Sequence, residues 1–131
     1  MSWLTGVDNS AFLASLFPGG GPSLAQVNLH EVQLNRDGPT VLLRFDLDTF
    51  PTNPPPKWRV SGFNTVQVRL MGIGMHRFSL SGWGTTQFGP LSILTSARGV
   101  EVRFTSGEVT LDACFHVLRI DGVSGYVNGA L

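Results

Sequence analysis

At 131 residues the chain is sized for one domain, 1–131, able to bury roughly two-thirds of its unfolded surface without staples. Only 14% of its residues are charged, nine basic against nine acidic, so it has neither the basic footprint of a nucleic-acid or anionic-membrane binder nor the acidity of a DNA mimic. The single cysteine excludes an internal disulfide. With no signal-like N-terminus and no membrane-length apolar run, a cytoplasmic location is expected.

Asp8, Asn9 and Ser10 are N-cap residue types ahead of Ala11–Phe17, where Phe12, Leu13, Leu16 and Phe17 share one helical face. Pro18-Gly19-Gly20-Gly21-Pro22 ends that helix, which is so short that it persists only when docked on something larger. From Ala25 to Asn35 apolar residues alternate, first as Val27 and Leu29, then as Val32 and Leu34. The parity shift across His30-Glu31 predicts a bulge or a change of partner. Arg36-Asp37-Gly38-Pro39 reads as a hairpin turn. The next strand puts Val41, Leu43, Phe45 and Leu47 on one face and Leu42, Arg44, Asp46 and Asp48 on the other.

Pro54-Pro55-Pro56 then predicts a stiff, extended arm ending at Trp58. Alternation resumes at Val66, Val68 and Leu70, is interrupted by Gly72 and Gly74, and continues through Phe78, Leu80, Leu91, Ile93, Val100, Val102, Phe104 and the run Val109 to Val117. Turn signals at Ala97-Arg98-Gly99 and Thr105-Ser106-Gly107-Glu108 separate these segments. The tail from Asp121 to Val127 is ambiguous, with a short helix preferred. The expected architecture is α+β: a largely antiparallel, meandering sheet of about seven strands with an N-terminal helix on one face.

Chemistry-bearing residues are sparse. His30, His76 and His116 lie at no metal-ligand spacing, and His30 and Glu31, as strand neighbours, should point to opposite faces. Asp46 and Asp48 share a face, as a catalytic or cation-binding pair would, but with Arg44 beside them a solvated, charge-compensated surface is the simpler reading. Cys114 sits among apolar residues that would not activate a thiolate. The glycine runs lack the lysine and helix of a phosphate loop, and no nucleophile elbow is present. No enzyme activity, metal or cofactor is expected.

Trp3, Trp58 and Trp83 all fall near segment ends, where a tryptophan either pins a loop to the core or serves as a binding anchor. Binding gains most at Trp58, which Lys57 and Arg59 flank; these three residues and Trp83 are the candidate partner-binding set.

The sequence V-N-L-H-E-V-Q-L-N-R-D-G-P-T-V-L-L-R-F-D-L, the P-P-P-K-W arm, G-F-N-T-V-Q-V-R-L and F-S-L-S-G-W resemble the immunity protein 50 family of bacterial polymorphic-toxin systems, in its actinobacterial form. The resemblance implies a small α+β cytoplasmic protein that binds and blocks a cognate toxin, with no catalytic motif. A rival expectation is a ligand-binding or structural β-domain, bent at Gly72 and Gly74 around a small apolar molecule.

Overall fold

Strand alternation organises most of the molecule. Among residues 2–130, which the computed structural model describes, eight strands form one sheet: Val7–Asp8 (β1), Val27–Asn35 (β2), Thr40–Asp46 (β3), Thr65–Ser81 (β4), Phe88–Gly89 (β5), Leu91–Ser96 (β6), Gly99–Thr105 (β7) and Thr110–Tyr126 (β8). Their order is β5-β2-β3-β4-β8-β7-β6, with all these pairings antiparallel, and β1 joins β8 in parallel. Among the described residues helix is confined to a single 3-10 turn, Trp3–Gly6, and two short α-helices, Ala11–Leu16 (α1) and Pro56–Val60 (α2). The α+β expectation is therefore met only loosely: the fold is β-dominated, and α1 has six residues.

The sheet curls strongly. Its two margins, β5 and β6, are separated in sequence by Pro90 alone, so one stretch of chain serves both ends of the strand order. Proline has no N–H to give a ladder, and the chain exchanges partners there. Before Pro90 it pairs with Val27 and Asn28 of β2; after it, Leu91 pairs with Phe104 of β7. The inside of the curl is filled by side chains, with Phe45, Phe104 and Phe115 the largest of those fully enclosed. A Cβ at Gly72 would stand 2.5 Å from the ring of Phe115, so the bare backbone there seats an aromatic. The apolar chamber that the rival reading requires is thus occupied by core. Leu13 and Leu16 of α1 join that core, as the helical face predicts, while Phe12 stays 47% exposed. Ser10 is the N-cap of α1 but its hydroxyl makes no capping bond. Neighbouring Asn9, at φ 59°, instead donates its amide to the carbonyl of Ile120 at 2.8 Å, tying the helix start to β8.

Two expectations are corrected. The segment from Asp121 is strand, because β8 continues to Tyr126 and pairs with the opening residues of β4 from Thr65 to Arg69. Those residues would otherwise leave ladder groups unpaired, and Gly122 and Gly125 are poor helix formers. The proline arm, in turn, does not hold Trp58 out on an extended path. Pro55 is extended at φ −53°, ψ 145°, but Pro56 opens α2, in the first turn where a missing N–H costs nothing. The helix turns Trp58 inward. Only 9% of it is exposed, its ring centroid 6.1 Å from Phe12, 6.2 Å from Phe50 and 6.4 Å from Phe63. Gly125 lies beneath it, where a Cβ would come within 2.9 Å of the indole.

Candidate functional site

The bulge foreseen in β2 builds the most distinctive polar cluster of the molecule. Leu29 pairs with Phe45 and Glu31 with Arg44, so His30 is the extra residue between them. The reading that placed His30 and Glu31 on opposite faces is thereby overturned: both side chains reach the sheet face that carries Arg44 and Asp46. Glu31 accepts from Arg44 Nε at 3.0 Å. His30 Nε2 lies 2.8 Å from Asp46 Oδ2.

Asp46 is also not the solvated carboxylate expected of it. It is 4% exposed, and Arg44 pairs with Glu31 rather than with it. Its Oδ1 accepts from Gln67 Nε2 at 3.0 Å, and its Oδ2 from the phenol of Tyr126 as well as facing His30. Three partners on two oxygens satisfy a buried carboxylate well enough to keep it in place. Burial, and then the hydrogen bond to Asp46, push the Tyr126 hydroxyl up to about 12. At neutral pH Tyr126 is thus a donor and not a base. Because its folded value lies above the ordinary 10.0, its stabilising contribution is full below pH 10 and is lost as the pH rises through about 12. In a spectrophotometric titration the lone tyrosine should ionise near pH 12 while folded, and near pH 10 in denaturant; ionisation near 10 in the folded protein would remove the Asp46 bond from the account.

His30, Asp46 and Tyr126 floor one end of a cleft of about 510 Å³, at the end of the sheet where β2 and β4 begin and β3 and β8 finish. Asp48 and Asn64 flank the floor, and Thr85 and Thr86, from the loop leading into β5, form a wall with Phe88 of β5. Asn64 pins the opposite wall. Its amide donates to the carbonyl of Asn128 at 3.1 Å, and its side-chain oxygen accepts from the Asn128 N–H at 2.8 Å. Gln87 anchors the loop by donating to the carbonyl of Leu29 at 2.9 Å and accepting from Gly84 N–H at 2.6 Å.

None of the four residues selected from sequence lines this cleft. Lys57 and Arg59 are exposed on α2, Trp58 is buried between them, and Trp83 is 46% exposed in the loop after β4. Trp3 donates its indole N–H to the carbonyl of Pro22 at 2.9 Å and so pins a loop. Cys114 is buried, as expected. His76 and His116 approach edge-on at 6.5 Å, and among the described residues no three His, Cys, Asp or Glu side chains gather to hold a metal. Farther along the sheet, Asp112 accepts from Arg77 at 2.8 Å, with Arg103 at 3.5 Å. The hydrogen bond from Arg77 holds the Asp112 carboxyl below its usual range, but this is an exposed network of modest energetic weight. The cleft residues Asn28, Asn64 and Tyr126 escaped the sequence reading, and Asp46 was weighed there but read as solvated surface, although the parity shift at His30 was the visible sign that this face is built irregularly.

The chemistry available is recognition: amides, hydroxyls, a fixed carboxylate, a free one and two aromatic rings around an open recess. No helix among the described residues is long and apolar enough to cross a membrane. No curated protein and no solved structure matches the chain. A family model described as Immunity protein 50 does match, over residues 9–126, from just before α1 to the last residue of β8. With nearly the whole fold inside that match, the chain belongs to the Immunity protein 50 family.

Proposed function

We propose that this protein is a cytoplasmic, non-catalytic immunity protein that binds a cognate toxin and neutralises it by occupying its surface. The observation that carries the reading is the family match over residues 9–126. The fold is consistent with it. A curled sheet with a filled interior offers a preorganised framework, which lowers the ordering cost of association. Zero net charge leaves affinity to shape and a few anchors rather than to a large charged patch.

Lys57, Arg59 and Trp83 are proposed as contacts, with Trp58 bracing α2 from below rather than touching the partner. Trp83 is the strongest of them, because a half-exposed indole has much area still to bury. Trp83→Ala should weaken toxin binding by about 2 kcal/mol while leaving thermal unfolding unchanged. Calorimetric titration against the product of a toxin-like reading frame found next to this gene, with melting curves of the same variant, checks both parts. Wild-type protein that neither binds that product nor protects cells expressing it would end the immunity reading.

A further inference from the structure

We propose that the cleft floored by Asp46 receives a basic side chain, an arginine, from the partner protein; the identity of that partner as a toxin rests on the immunity reading, while the chemistry of the cleft does not.

Charge is the first ground. Asp46 and Asp48 line the cleft, His30 is paired with Asp46, and among the described residues no lysine or arginine lines it, so Asp48 is the carboxylate left without a basic neighbour there, in a chain whose total charge is zero. The local field therefore favours a cation and opposes a phosphate or carboxylate. The two carboxylates differ in readiness. Asp46 is buried and held by Gln67, His30 and Tyr126, so it cannot turn toward an arriving group. Asp48 is exposed and, among the described residues, has no hydrogen bond or ion pair, which leaves it free to take a new one.

Shape and surface decide which cation. A divalent metal would need several oxygens at once, and only one of the two carboxylates, Asp48, is exposed to the cleft. A guanidinium needs one free carboxylate edge, neutral acceptors for its remaining N–H groups and a flat apolar surface. Asp48 offers the first, and the side-chain oxygens of Asn28, Thr85 and Thr86 offer the second. Phe88, 52% exposed beside Asn28 in the ladder, offers the third. The walls are already held by the Asn64–Asn128 and Gln87–Leu29 bonds, so little ordering remains to be done on binding.

The probe is the blocked tripeptide acetyl-Gly-Arg-Gly-amide, titrated into 15N-labelled protein, with acetyl-Gly-Glu-Gly-amide as the control. The arginine peptide should move the amide signals of Asn28, Asp48, Thr86 and Phe88 saturably, and the glutamate peptide should not. Asp48→Asn should weaken that binding at least about fivefold, the loss of one charge-assisted pair, whereas Arg98→Gln, in the exposed turn between β6 and β7, should leave it unchanged. Equal response to both peptides, no saturable response to arginine, or indifference to Asp48→Asn would each overturn the proposal. A second arm uses a toxin encoded next to this gene. Toxin that binds while the cleft signals stay still refutes the cleft and spares the immunity reading. Failure of the toxin to bind at all refutes the immunity reading, and the peptide arm then decides the cleft by itself.

Discussion

Trp58→Ala is expected to destabilise the protein by about 3–5 kcal/mol, enough to remove much of a small domain's total stability. The indole is nine-tenths buried and forms the centre of an aromatic group with Phe12, Phe50 and Phe63. It also covers Gly125, where β8 runs against the start of β4. Truncation would open a void that these rings, held by three different segments, cannot close by sliding, and the cavity cost would add to the lost transfer energy. Denaturant unfolding of Trp58→Ala and Trp58→Phe separates the contributions, because the phenylalanine keeps part of the packing. A loss below about 1 kcal/mol for the alanine variant would return Trp58 to the surface and restore it as a contact candidate.

Phe45→Ala should cost a similar amount, about 3–5 kcal/mol, for a different reason. Phe45 is fully enclosed at the centre of the curl, paired with Leu29 on one side and Val68 on the other. Its neighbour Arg44 points to the opposite face, where its side chain is 31% exposed and paired with Glu31. Arg44→Ala should therefore lose under about 1 kcal/mol, as partly exposed ion pairs do. Chemical denaturation of the two variants tests the sidedness of β3. Equal losses would mean that the outer face, with its buried Leu42 and Asp46, holds the fold as strongly as the inner one.

The inner face of β3 was legible in the sequence because strict alternation leaves one solution: Val41, Leu43, Phe45 and Leu47 are all buried. The turn at Arg36–Pro39 was legible for the same kind of local reason, joining β2 to β3 where Asp-Gly stands. The cleft was not, because it depends on register. One bulged residue returns His30 to the face of Asp46, and no periodicity rule says which carboxylate it will meet. Trp58 was misplaced because three prolines suggest extension, yet the third is also a suitable first residue of a helix. The last strand was ambiguous since its glycines weaken any local pattern; β4 decides its state from across the sheet.

The bond between Tyr126 and Asp46 joins residues 80 positions apart, and β4 and β8 pair along nearly their whole lengths with β5, β6 and β7 between them in the chain. The closing loop is long, so this pairing must meet its entropy cost before it returns any contact energy, which places the fold among the slow, non-local ones. During synthesis the hairpin of β2 and β3 can form early, but Asp46 gains its phenol only after β8 has left the ribosome. A chain cut short before β8 would lack the central partner of β4, the cover over Gly72 and one wall of the cleft at once. Under the cleft reading proposed above, recognition is thereby coupled to completeness: an unfinished copy lacks the phenol that holds Asp46 and the Asn128 side of the recess.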